Sequence, residues 1–169
     1  MDSSVRSAKK GRRVPSERTA RGEDSATRRV TGQEVCPSAQ PDMEGAVAFG
    51  VVGGTAEEPV VSYLTEPQPV TDQLLALTEP VAPTEVFRFA APCAESGCQH
   101  FDGATCQLGR KLAENVPQAV PRLPPCRIRP TCRWWKEQGG KACMRCPVVV
   151  TTHYRPSAAL RDAANPSSD

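Results

Sequence analysis

Cys126-Arg127-Ile128-Arg129-Pro130-Thr131-Cys132-Arg133-Trp134-Trp135-Lys136-Glu137-Gln138-Gly139-Gly140-Lys141-Ala142-Cys143-Met144-Arg145-Cys146-Pro147 is the stretch that decides how this chain folds. Its four cysteines are separated by five, ten and two residues. Thr131 can cap a helix over 132–138, and Gly139-Gly140 can supply the left-handed backbone that closes it. Cys143 to Cys146 reads as a tight turn. The β-branched run Val148-Val149-Val150-Thr151-Thr152-His153-Tyr154 then reads as a strand.

Moving toward the N-terminus, three more cysteines follow the pattern Cys93-x4-Cys98-x7-Cys106. They lie between two predicted elements. Val86 to Ala91 reads as a short strand with Phe87 and Phe89 on one face. Gln107 to Val116 reads as a helix with Leu108, Leu112 and Val116 on one side, and Arg110, Lys111 and Glu114 on the surface. Pro117 ends it.

The rest of the chain reads as poor in structure. Residues 1–35 form a basic arm, and residues 36–85 an acidic Pro/Thr/Glu-rich linker; the stretch 31–85 has no Lys or Arg and nine Asp/Glu. In that linker only Asp72 to Leu77 has a helical pattern, and prolines at Thr-Glu-Pro repeats oppose helix and central strand alike. The tail over 156–169 is polar. The expected architecture is therefore a small metal-stabilised α+β module over 86–155, with short strands, two short helices and irregular loops. The N-terminal half is expected to be mostly disordered. Seventeen prolines and 5% aromatics leave little for a conventional core, so crosslinks or metal must restrain so small a module.

No apolar run has signal-peptide or membrane-spanning length, so the expected compartment is the reducing cytoplasm and no membrane is involved. There, clustered thiols serve as ligands more readily than as disulfides. The candidate metal ligands are Cys93, Cys98, His100, Cys106, Cys126, Cys132, Cys143 and Cys146. His100 makes up the eighth because seven clustered cysteines fall one short of two four-ligand sites. His153 is a weaker substitute, and Cys36 reads as a free, exposed linker thiol.

Two groupings follow from the spacing. Zinc suits Cys93/Cys98 with Cys143/Cys146, leaving Cys106, Cys126, Cys132 and His100 for a second ion. An iron–sulfur cluster, the [4Fe–4S] cubane included, suits Cys126, Cys132, Cys143 and Cys146, whose run ends in Cys-Pro. Neither spacing is a specific motif. The interleaved Arg127, Arg129, Arg133 and Arg145 can lower thiol pKa and offset an anionic site.

The expected function is that of a non-catalytic metalloprotein, an electron-transfer, redox-sensing or docking accessory to a protein partner. The alternative is a zinc module that binds nucleic acid through Arg127, Arg129, Arg133, Lys136 and Lys141, with Trp134 as a stacking platform. An enzyme is the weakest reading. Asp102 and His100 could act as acid and base, but no nucleophile or phosphate loop accompanies them.

Overall fold

The computed structural model describes residues 33–166, so nearly all of the basic arm lies outside the described residues. The strands are β1 (Val35–Ala39), β2 (Val47–Gly54), β3 (Pro59–Pro69) and β4 (Phe87–Pro92). They form one antiparallel sheet in the order β1-β4-β2-β3. The short helices are α1 (Asp72–Ala76), α2 (Pro83–Val86), α3 (Gln107–Asn115), α4 (Arg133–Gln138), α5 (Gly140–Cys143) and α6 (Ala158–Ala164).

The expected α+β character is present, but the expected spacer is not a spacer. Residues 36–85 supply three of the four strands and two helices. The reason lies in where the prolines fall. Proline cannot donate to a ladder and is tolerated on edge strands and at bulges. Pro37 lies on edge strand β1, at a slip in the β1–β4 register between Cys36 and Ala39. Pro59, Pro67 and Pro69 lie on β3, the opposite edge. A boundary at residue 86 also fails, because β4 pairs with both β1 and β2 from the supposed linker.

The sheet buries both faces. On one face Phe89, Ala48, Ala91 and Ala39 pack beneath Leu74 and Leu75 of α1. On the other, Phe49, Ala90 and Val35 meet Leu112, Val116, Trp134 and Cys132, contributed by α3, α4 and their caps. Residues 88 and 90 of β4 serve this second face while 87, 89 and 91 serve the first, the alternation a strand imposes. The T-shaped Phe87–Phe89 contact, 6.2 Å between centroids, confirms their shared face.

Helices over 107–115 and 133–138 form where the pattern places them, although Cys132 itself is the N-cap of α4 and Thr131 makes no side-chain cap. Gly139, at φ +57°, ends α4. Three further expectations are corrected. Lys111 is buried and donates from Nζ to the Asn165 carbonyl at 3.0 Å. The run 148–154 is not a strand. After Pro147 it continues from a 3-10 turn into irregular backbone, and Val149 and Val150 are buried without joining the sheet. The tail forms α6, which buries Ala163 and packs Ala159 and Leu160 against the same core as α3.

A candidate metal centre of paired thiol quartets

The eight thiols are unpaired, and they fall into two groups of four. The first consists of Cys126, Cys132, Cys143 and Cys146, all lining one cavity with Pro37, Phe49, Tyr63, Arg129 and Trp134. The cavity's volume is only about 10 Å³. It is a narrow, largely apolar slot with thiols around it.

Local structure positions each sulfur. Cys126 follows the extended 121–125 segment, and the Ile128 N–H faces its sulfur. Cys132 caps α4, so the N–H groups of Trp134 and Trp135 face its sulfur. Gly139 turns the chain from α4 into α5, which ends at Cys143, and a 3-10 turn begins at Cys146. Phe49 enters the slot from a bulge in β2, where the register slips between Ala48 and Gly50. Phe49 and Tyr63 pack 6.0 Å apart, and the Tyr63 hydroxyl faces Cys146.

Burial dominates the acidity of these thiols. It pushes Cys132 up to about 12 and Cys126 up to about 11, and it raises Cys143 as well. Neighbouring thiols of the same quartet push each in the same direction. Opposing them, Arg129 lowers Cys143 through a hydrogen bond and Cys126 by its charge. Of the four arginines expected to offset an anionic site, Arg129 is the one that reaches these thiols. Arg145 instead donates to the Val116 and Lys141 carbonyls, and Arg127 donates to the Thr65 carbonyl at 2.9 Å.

A different cation stands behind the slot. Arg88 is fully buried in β4, and its Nε donates to the Pro37 carbonyl at 2.9 Å. Both terminal nitrogens, Nη1 and Nη2, are buried without a hydrogen-bond partner, and among the described residues no carboxylate pairs with it. Its guanidinium carbon lies 5.7 Å from the Trp134 ring and 5.9 Å from that of Phe49, two walls of the slot. A buried charge left unpaired costs several kcal/mol.

The second group is Cys36, Cys93, Cys98 and Cys106. Cys36 is only partly buried as a residue, yet its sulfur is desolvated and its pKa pushed up to about 12, first by burial and then by Cys106, Cys93 and Cys98. The thiol at position 36 is free, as expected, but it is partly buried rather than exposed and lies in no linker. Arg133 donates from Nη1 to the Cys93 sulfur at 3.5 Å. Glu137 accepts from the Cys106 N–H at 2.8 Å and from Arg133 Nε at 2.7 Å. The Trp134 indole N–H faces the Cys106 sulfur, although its geometry falls short of a normal hydrogen bond.

Cys93/Cys98 and Cys143/Cys146 thus belong to different groups, contrary to the zinc grouping. His100 lies in the loop between Cys98 and Cys106, its carbonyl accepting from Gln107. Burial lowers its imidazole pKa, followed by the charge of Lys111. His153 lines two open clefts of about 240 Å³ and 400 Å³ that contain no cysteine. Asp102, considered as an acid–base group, accepts from the Thr105 and Ala104 N–H groups and orders the turn before Cys106. Those bonds, Thr105 first, hold its carboxyl below the ordinary range.

Comparison with family models, curated proteins and solved structures finds no match. The chemistry must be read from the residues themselves. Among the described residues no three His, Cys, Asp or Glu side chains converge closely enough to hold one metal ion as they stand. No described helix is long and apolar enough to cross a membrane.

The nucleic-acid residue set needs correction. Trp134 is 2% exposed and offers no stacking face to a base. Arg133 is also buried, held by Glu34, Glu95 and Glu137 and stacked 4.7 Å over Phe101. Lys136 is exposed but faces Glu34 at 3.5 Å. The signals that sequence reading missed are Cys36, Tyr63, Arg88 and Glu137. Only the Cys36-Pro37 pair, which repeats the Cys146-Pro147 ending, had a visible counterpart in the pattern.

Proposed function

We propose that this chain is a non-catalytic iron–sulfur protein in which Cys126, Cys132, Cys143 and Cys146 hold a [4Fe–4S] cluster, and that it carries single electrons or senses oxidation for a protein partner in a reducing compartment. The observation that carries this reading is the four-thiol slot backed by the unpaired guanidinium of Arg88. A cubane held by four thiolates has a net charge of about −2 in its oxidised form. That is a countercharge for a buried arginine that has no carboxylate beside it among the described residues.

The donor set fits the group. Thiolate is a soft ligand suited to iron–sulfur clusters and to zinc. A tetrahedral zinc site brings its sulfurs to within about 3.8 Å of each other at Zn–S distances of about 2.3 Å. A cubane spreads them further, which suits thiols that surround a slot rather than converge on a point. Amide N–H groups facing the sulfurs of Cys126 and Cys132, and the Tyr63 hydroxyl facing Cys146, are hydrogen bonds of the kind that tune such a centre. When bound, the cluster would supply a one-electron redox couple. The chain's own residues hold it, exclude water through Phe49, Trp134 and Pro37, and set its electrostatic surroundings.

Anaerobic expression of the full chain, followed by an absorption spectrum and a count of iron, zinc and acid-labile sulfide, tests the proposal. A broad band near 400 nm that bleaches on reduction, with iron and sulfide in equal amounts, is expected. Colourless protein with one or two zinc ions, or with its thiols in disulfides, refutes it.

A further inference from the structure

We infer that Cys36, Cys93, Cys98 and Cys106 form a second iron–sulfur site, completed by Cys36 rather than His100, and that residues 132–137 join it to the first. This rests on reading the first quartet as a cluster site.

The backbone assembles the second quartet from three places. In the β1–β4 ladder Cys36 pairs with Ala91, so Cys93 is its diagonal neighbour on the same side, about 7–8 Å away between Cα atoms. The Glu34 carbonyl accepts from the Cys93 N–H at 2.9 Å and keeps the pairing in register past the end of β4. In the following loop the Phe101 N–H donates to the Cys98 carbonyl at 3.0 Å, and Phe101 bridges to Cys106. That brings Cys98 back beside the start of α3. Arg133 and Glu137 then clamp the two halves, one on the Cys93 sulfur and the other on the Cys106 amide. The Trp134 indole N–H and the Gly109 N–H face the Cys106 sulfur.

The two quartets share α4. Cys132, its N-cap, belongs to the first, and the next two residues, Arg133 and Trp134, reach the second. Trp134 also forms a wall of the first slot. Cys36 and Pro37 do the same from β1, one in the second quartet and the other in the first slot. Between such neighbouring centres one electron can pass, oxidising one cluster and reducing the other, with no bond made or broken.

The test is the iron and sulfide content of the full chain after anaerobic reconstitution with ferrous iron and sulfide, in wild type and in three variants. Wild type should hold about eight irons and eight sulfides, and Cys36→Ala and Cys143→Ala about four each. His100→Ala should retain the wild-type content. The dithionite-reduced wild type should show an electron paramagnetic resonance spectrum broadened by coupling of two centres, which the single-site variants lose. This readout needs no variant to fold if the wild-type spectrum alone is coupled. About four irons in wild type, unchanged by Cys36→Ala and abolished by Cys143→Ala, would overturn the second site and leave the first standing. Halving by His100→Ala but not by Cys36→Ala would overturn the assignment of Cys36. No iron in wild type would overturn both sites.

Discussion

Replacing Arg88 by methionine gives the sharpest test of the charge logic in this fold. Methionine keeps much of the volume and removes the positive charge. The guanidinium lies 5.7 Å from the Trp134 ring and 5.9 Å from the Phe49 ring. Both rings line the slot, and a separation on the order of 10 Å is taken between the charge and a cluster held there. At an effective dielectric of about 20, that separation corresponds to about 1.7 kcal/mol per unit charge. Reduction adds one negative charge to the cluster, so the arginine favours the reduced form by this amount. Its loss should lower the midpoint potential by about 70 mV for a one-electron couple. In the metal-free chain the same change removes a buried cation that has no carboxylate partner among the described residues. The single hydrogen bond lost to Pro37 is worth about 1 kcal/mol, less than the relief, so the unfolding midpoint in denaturant should not fall. The assay is a redox titration followed by electron paramagnetic resonance, reading the centre that disappears in Cys143→Ala. Arg88→Lys should keep most of the wild-type potential. An unchanged or raised potential in Arg88→Met, at normal iron content, would refute the role of Arg88 as the countercharge.

Two further outcomes follow from packing and acidity. Gly109 has no room for a methyl group, because a Cβ there would stand 2.7 Å from Cδ1 of Trp134. Gly109→Ala should therefore lose stability by about 1–2 kcal/mol, the overpacking cost outweighing the roughly 1 kcal/mol gain in helix propensity. A thermal midpoint above wild type would contradict that packing. The metal-free protein should also lose stability at high pH. Burial raises Cys36 and Cys132 from 9.0 to about 12 and Cys126 from 9.0 to about 11. These are acids held protonated by the fold. Their contribution is fully present below pH 9 and is lost as pH climbs toward 11–12, because the unfolded chain ionises first. Thermal midpoints of metal-free protein from pH 7 to 11 check this, and a flat profile would count against buried thiols.

The structure also explains why three of the sheet's four strands were illegible in the sequence. Residues 36–85 carry the Pro/Thr/Glu composition of a spacer, and composition reports only what a segment could bury alone. Proline's effect depends on which strand it occupies. Pro37, Pro59, Pro67 and Pro69 are harmless because β1 and β3 are edges, a property of strand order. The error at 148–154 has the opposite origin. A β-branched run favours a strand only where its backbone pairs, and here the 3-10 turn at Pro147 leads into irregular backbone that buries Val149 and Val150 without pairing.

What the sequence by itself determined is local. The two amphipathic helices 107–115 and 133–138, the strand at 87–92 and the breaks at Gly139 and Pro117 follow from periodicity and backbone sterics over a few residues. The set Cys126, Cys132, Cys143 and Cys146 was one of the two groupings the spacing allowed, since all four lie within one short stretch, and the fold lines one cavity with them. Tertiary structure alone decided the membership of Cys36, which lies 57 residues before Cys93 and joins it through the antiparallel pairing of β1 with β4. It decided as well that Arg88, one charged residue in a short apolar strand, is buried against the walls of the thiol slot with both terminal nitrogens lacking a hydrogen bond among the described residues. Neighbours along a chain can be read from spacing, but neighbours across a sheet exist only once register and strand order are set.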